Sequence, residues 1–156
     1  MDLPLLHEPT IVVPVDFDEP SRRAVALAVS YARALQGRIV LLHVLPPDGA
    51  PDARVQRMLE DDFVAMLVSG VAVRREVRTG HVIETVLRVA EESKASLVVV
   101  GTHGRTGAAR MMLGSVAEGL VRLSPVPVLV AHEETRDAER DARPIPALSD
   151  VQVTAT

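Results

Sequence analysis

The residues best suited to chemistry lie in one glycine-rich segment that follows a short apolar run. The segment covers residues 101–115 and has the sequence GTHGRTGAARMMLGS. Glycine lets the backbone adopt positive φ and approach a ligand closely, and successive free N–H groups can then converge on phosphate oxygens. Gly114 and Ser115 open a predicted helix, whose first amides are unpaired and favour an anion. Arg105 and Arg110 can add charge-assisted contacts, so the segment predicts a phosphate-binding loop.

The glycine spacing of this segment differs from that of two common phosphate loops. The Gly-Lys-Ser/Thr ending of a Walker A loop is missing, and the only lysine, Lys94, lies outside the segment. The glycines also do not fit the dinucleotide-binding fingerprint. Interpretations without a ligand stay open: Ser115 with Glu118 would form a capping box, Gly101 with Gly104 would form only a turn, and the arginines would be surface charges.

A second chemical group, Asp16, follows the first apolar run directly. The run ends in Pro14, Val15 and Asp16, which places a carboxylate at the carboxyl end of a predicted strand. Such a carboxylate can accept hydrogen bonds from ribose hydroxyls, as acidic residues do in other nucleotide-binding folds. The alternative is a turn or helix-capping residue, although Asp18 and Ser21 compete for the capping role.

The five histidines are scattered, and no pair has the spacing of metal ligands on a helix, so no metal site is predicted. His103 lies in the glycine-rich segment, where it is either a ligand contact or a surface residue. No Gly-x-Ser-x-Gly nucleophile motif occurs. No catalytic residue is therefore assigned.

Apolar runs alternate with helical patterns along most of the chain. Apolar runs predict buried strands, and apolar residues three and four apart predict the helices between them. The predicted strands are Thr10–Val15, Arg38–Val44, Val71–Arg78 (an edge strand), Leu97–Val100 and Val126–Val130, and the predicted helices are Pro20–Gln36, Pro51–Ser69, Ile83–Ser93 and Ser115–Leu123. The order βαβαβαβαβ predicts an α/β fold: a doubly wound five-stranded parallel sheet with helices on both faces.

Length and composition narrow the class of protein. The chain has 156 residues, no cysteine, a net charge of −4 and very few aromatic residues, which excludes disulfides and argues against a nucleic-acid partner. We expect one domain over residues 1–132 and a charged, mobile C-terminal extension over residues 133–156. Because neither a leader-like start nor an apolar stretch of about 20 residues is visible, we expect a cytoplasmic protein without a membrane partner.

Several motifs together resemble the universal stress protein family. The long spacing Gly101-x2-Gly104-x9-Gly114-Ser115 is similar to the ATP-binding signature of that family. Four further segments match as well: PVD at residues 14–16, LHV at 42–44, RTG at 78–80 and PVPVLV at 125–130. The resemblance covers residues 10–131, which is nearly the whole predicted domain.

The resemblance implies a strand order of 3-2-1-4-5, a site for ATP together with Mg²⁺, and a homodimer formed through the last strand, Val126–Val130. It implies that Asp16 holds the ribose, that the backbone of Val44 pairs with the adenine edge, and that the start of the fourth helix holds the phosphates. The nucleotide-binding residues expected in all are Pro14, Val15, Asp16, Val44, Val100, Gly101, His103, Gly104, Arg105, Gly107, Gly114, Ser115 and Val116. The chain departs from the family in carrying Asp18 where many members have Ser, and in its longer tail.

The function expected from these residues is an ATP-binding module for stress response or signalling rather than an enzyme. One alternative is a slow ATPase or phosphotransferase that uses Asp16 and His103 as base and orienting group. Another is a dimeric scaffold whose site stays empty.

Overall fold

The strands and helices alternate strictly in the part of the chain that the structure describes. The computed structural model describes residues 8–50, 52–61, 63, 70–102 and 113–132. Within these ranges the elements are β1 (Thr10–Pro14), α1 (Glu19–Leu35), β2 (Arg38–Leu45), α2 (Ala53–Asp61), β3 (Ala72–Thr79), α3 (Val82–Glu92), β4 (Leu97–Gly101), α4 (Ser115–Leu123) and β5 (Val128–Ala131).

The five strands form one parallel sheet in the order β3-β2-β1-β4-β5. This order and the helices beside the sheet confirm the predicted fold class. From β1 the chain winds toward β2 and β3, and after β3 it crosses back to β4 on the other side of β1. The winding therefore reverses between β1 and β4, and in open α/β sheets the crevice at the carboxyl ends of two such strands is where ligands bind.

The central strand β1 is buried on both faces because helices cover both sides of the sheet. Ile11 and Val13 pack in a core that includes α1 and the buried side chains of Leu59 and Phe63. Val12, between them in the sequence, packs in a second core that includes residues of α3 and α4. The apolar runs in the sequence follow from this double burial.

The edge strand β3 is covered by ion pairs rather than by a helix on one of its faces. The carboxylate of Glu76 lies 2.7 Å from Arg74 and 2.9 Å from Arg78, and Arg78 also lies 3.0 Å from Glu92 of α3. The hydrogen bond to Glu76 raises the pKa of Arg78 above its usual value, with smaller contributions from Glu92 and an opposing one from burial. Charged residues on an edge strand also hinder pairing with other strands.

The predicted and observed boundaries differ by one or two residues at several ends, and two of these differences have a clear cause. The helix α1 ends at Leu35 instead of Gln36, and Gln36 takes the left-handed conformation (φ 53°) that glycine usually takes after a helix. Gly37 is required for another reason, because a Cβ there would overlap the carbonyl oxygen of Pro9. The last strand begins at Val128 instead of Val126, since Ser124 Oγ turns the chain by bonding both the N–H and the carbonyl of Val126.

The second helix was predicted over residues 51–69. The structure describes it as Ala53–Asp61, and residues 51, 62 and 64–69 of that prediction lie outside the described residues. The predicted extension 133–156 lies outside them as well, so the domain boundary stays a prediction.

Candidate functional site

A pocket opens at the carboxyl ends of β1, β2 and β4, between the first turns of α1, α3 and α4. Seven of the residues expected at the site line it: Pro14, Val15, Asp16, Val44, Val100, Gly101 and Val116. Gly114 and Ser115 come directly before Val116 at the start of α4. His103, Gly104, Arg105 and Gly107, and also Arg110, lie outside the described residues. The pocket is at the reversal point of the sheet, where a ligand is expected on topological grounds.

The first turn of α4 presents backbone amides without a capping side chain. Gly114 takes the N-cap position (φ −60°, ψ 151°). The first helical hydrogen bond runs from the N–H of Glu118 to the carbonyl of Gly114 (2.8 Å). The N–H groups of Ser115, Val116 and Ala117 therefore have no partner among the described residues. The expected alternative of a capping box is wrong, because Ser115 is the first helical residue and not the cap. Three free amides and the positive end of a helix dipole favour an anion here.

Asp16 is held in a fixed orientation by the turn that it forms. Its Oδ1 accepts hydrogen bonds from Ser21 Oγ (2.5 Å) and from the backbone N–H of Asp18 (3.2 Å), and Ser21 Oγ accepts the N–H of Asp16 (3.0 Å). The turn interpretation of Asp16 is thus confirmed. Its side chain is also exposed at the pocket, and the ribose contact stays a prediction. Among the described contacts Oδ2 has no partner, so it can accept a hydrogen bond from a ligand.

Phe17, the next residue, stores backbone strain. Its φ is +67°, which is uncommon for a bulky residue and costs of order 1–3 kcal/mol in such outliers. The ring lies 4.8 Å from the ring of His43 and 6.2 Å from that of Phe63, between centroids. These contacts and the hydrogen bonds of Asp16 hold the turn in its strained form.

The backbone of Val44 is left open where β1 ends beside β2. Val15 N–H donates to the carbonyl of Leu42 (2.8 Å), which shows that even-numbered residues of β2 point toward β1. The next parallel pair would join Val44 N–H to the carbonyl of Val15. That carbonyl instead lies 2.8 Å from Nδ1 of His43, and the chain turns away at Asp16. The N–H and C=O of Val44 therefore face the pocket without a partner in the described part of the chain.

A comparison of the sequence with models of protein families shows the family to which the chain is related. The model of the universal stress protein family matches residues 9–132. The chain belongs to this family. The resemblance seen in the motifs is thereby confirmed at the level of the family.

Individual relatives agree with the assignment. Universal stress protein MJ0531 of Methanocaldococcus jannaschii is 28% identical over 81% of this chain and 84% of its own. Among solved structures, a universal stress protein in complex with cAMP is 25% identical, with a TM-score of 0.67 over 80% of this chain and 97% of its own. The universal stress protein of Archaeoglobus fulgidus in complex with dAMP has the same fold, with 19% identity and a TM-score of 0.64 over 81% of this chain and 98% of its own.

Gly101 has a packing role in this member of the family. A Cβ at Gly101 would overlap the carbonyl oxygen of Pro20, in the first turn of α1. The missing side chain therefore lets α1 start close to the end of β4. Because Ser21 follows Pro20 and orients Asp16, this contact also sets the position of the carboxylate in the pocket.

Sequence reasoning did not place several residues that line the pocket, namely Pro20, Ser21, Leu42, His43, Val82 and Ala117. The signal for His43 was present, since it is a polar residue within the apolar run of β2. The signal for Val82 was weaker, because the first residue of a helix has no special type. In the described ranges no helix is long and apolar enough to cross a bilayer, and no three His, Asp or Glu residues there cluster as metal ligands would.

Proposed function

We propose that this universal stress protein binds ATP in the pocket at the ends of β1, β2 and β4, and that the bound state acts as a signal in a stress response. The observation that carries the proposal is the combination of three groups around one pocket. The open backbone of Val44 would bind the base, the carboxylate of Asp16 would bind the ribose, and the free amides of α4 would bind the phosphates.

The open backbone of Val44 supports an adenine base. An N–H and a C=O of one residue offer a donor and an acceptor side by side. Adenine carries the complementary pair, an acceptor at N1 and a donor at N6. The apolar side chains of Val44 and Val82 at the pocket suit the faces of a flat base.

Asp16 and α4 support the rest of the nucleotide. Oδ2 of Asp16 is free to accept from a ribose hydroxyl, and Oδ1 is kept in place by Ser21. The amides of Ser115, Val116 and Ala117 favour phosphate oxygens. Mg²⁺, if it accompanies the triphosphate, would be held mostly by phosphate oxygens and water. The expected contacts of His103, Gly104, Arg105 and Gly107 stay part of the proposal.

Known relatives bind adenine nucleotides, which also supports the proposal. The solved complexes contain cAMP and dAMP, so an adenine nucleotide is the common ligand class, and ATP is the specific choice made here. Binding would favour one conformation of the chain by mass action, and a partner protein could then recognise that state. We place this activity in the cytoplasm.

A homodimer through β5 is part of the same proposal. The strand lies at the edge of the sheet with β4 as its neighbour, and Val121 and Leu123 of the adjacent α4 are each more than half exposed. A second copy that pairs with this edge would cover unpaired backbone groups and apolar side chains together.

Calorimetry with MgATP and the purified protein tests the nucleotide site. We expect a single binding event and an increase in thermal stability, since a ligand at 100 times its Kd stabilises a folded protein by about 2.7 kcal/mol. AMP and cAMP in parallel titrations show how much the β and γ phosphates add. No heat and no shift of Tm at millimolar ATP would contradict the proposal.

A turnover assay separates binding from catalysis. With Asp16 Oδ1 tied to Ser21 at 2.5 Å, this carboxylate serves better as a fixed acceptor than as a base. We expect phosphate release far below the roughly 1 per second at the lower end of typical enzymes. Faster release would favour the enzymatic alternative.

A further inference from the structure

His43 is a polar residue in an otherwise apolar strand, and the proposed ligand contacts do not use it. It is half-buried and lines the pocket, and its ring packs on Phe17 with 4.8 Å between centroids. Its Nδ1 lies 2.8 Å from the carbonyl oxygen of Val15. A carbonyl can only accept, so the proton of this hydrogen bond belongs to Nδ1.

This hydrogen bond decides which partner the carbonyl of Val15 has. In an uninterrupted parallel ladder that carbonyl would accept the N–H of Val44. A buried carbonyl needs some partner, and Val15 is 5% exposed. His43 fills this role, and the N–H of Val44 is left to face the pocket.

We propose that His43 is a positioning residue for base selectivity. By holding the carbonyl of Val15 it keeps the end of β1 from pairing with Val44, so that the donor and acceptor of Val44 stay available to a base. This inference rests on the proposed function, because it names the residue that prepares the adenine contact. It predicts selection of adenine over hypoxanthine, whose O6 acceptor and N1–H donor reverse the adenine pattern.

Two variants separate the hydrogen bond of His43 from its packing. His43→Leu keeps an apolar contact with Phe17 but removes the donor. His43→Asn removes most of the ring contact but places an amide N–H where Nδ1 stands. AMP and IMP are titrated calorimetrically into the wild-type protein and into both variants, because the two ligands differ only in the base.

We expect the wild-type protein to prefer AMP, the Leu variant to lose about tenfold of this preference, and the Asn variant to retain it. Tenfold corresponds to about 1.4 kcal/mol, which is within the range of one hydrogen bond. A merely structural role would weaken AMP and IMP binding equally and leave their ratio unchanged. An unchanged ratio in the Leu variant would therefore overturn the inference while leaving nucleotide binding intact.

If neither AMP nor IMP binds, that result contradicts the proposed function but does not test the role of His43. Hydrogen exchange in the ligand-free protein then tests this role without a nucleotide. We expect the amide of Val44 to exchange at least tenfold faster than that of Leu42, which lies within the ladder with β1. In His43→Leu the carbonyl of Val15 becomes available, and the amide of Val44 should become protected. Equal protection of Val44 and Leu42 in the wild-type protein would refute the inference.

Discussion

Removing one backbone N–H at the start of α4 tests the phosphate contact directly. Ser115 is the first residue of that helix, a position where proline is tolerated because the missing N–H would have no helical partner. The residue before a proline must be extended, and Gly114 is extended already (ψ 151°). Ser115→Pro therefore removes one of three free amides while the helix can keep its start.

The expected loss follows from the charge of the ligand. A hydrogen bond to a charged group contributes about 1.5–3 kcal/mol, which corresponds to a roughly 10- to 100-fold weaker affinity for ATP. Adenosine has no phosphate, so its affinity should stay unchanged. The free energy of unfolding should change little, because the lost N–H has no partner among the described residues.

The assay is calorimetric titration of ATP and adenosine into Ser115→Pro, the wild-type protein and a matched control. Ala53→Pro makes the same change at the first residue of α2, an exposed position whose helix starts with Asp52 accepting the N–H of Val55 (3.0 Å). The control should bind both ligands normally. The reasoning would be refuted if Ser115→Pro bound ATP as tightly as the wild-type protein, or if it lost ATP and adenosine affinity in parallel.

Three further substitutions test the link between fold and site. Gly101→Ala should lower the free energy of unfolding by about 1–3 kcal/mol, because the new Cβ would push against Pro20. The displaced Pro20 would also move the turn that holds Asp16, so ATP binding should weaken. Chemical denaturation measures the first effect and calorimetry the second. Gly37→Ala should destabilise the fold through its overlap with Pro9, at the opposite end of β1, without changing the Kd for ATP. Val130→Pro should shift a dimer to monomers in light scattering, because the N–H of Val130 points to the free edge of β5. The direction follows from Ala131, whose carbonyl accepts the N–H of Thr102 just after β4, so that the neighbouring residue Val130 faces the other way. A dimer that persists would place the interface elsewhere.

The fold could be predicted well because β1, β2 and β4 are buried on both faces. Continuous apolar runs mark such strands, and helical spacing marks the crossovers between them. The strand order could not come from these local patterns, since they carry no information on which strands are neighbours. It came from the family resemblance, and the sheet confirms it.

Turns were predicted less reliably than strands because tertiary contacts decide them. A glycine after a helix usually takes the left-handed position, yet Gln36 takes it here and Gly37 answers a contact with Pro9. Phe17 adopts positive φ, which its residue type disfavours. The contacts that hold it, with His43 and Phe63, join residues far apart in the sequence.

The central part of the candidate site consists of backbone groups, and these have no residue-type signature. The opening at Val44 exists because β1 ends three residues before β2 does: Pro14 opposite Leu42 is their last pair, and β2 continues to Leu45. If the two strands were shifted by one residue, His43 would point its backbone toward β1 and Val44 its backbone toward β3. The side chain of His43 would then have no reason to take the carbonyl of Val15. A histidine in an apolar strand is visible in the sequence, but its consequence for the pocket depends on this register, which only the folded sheet defines.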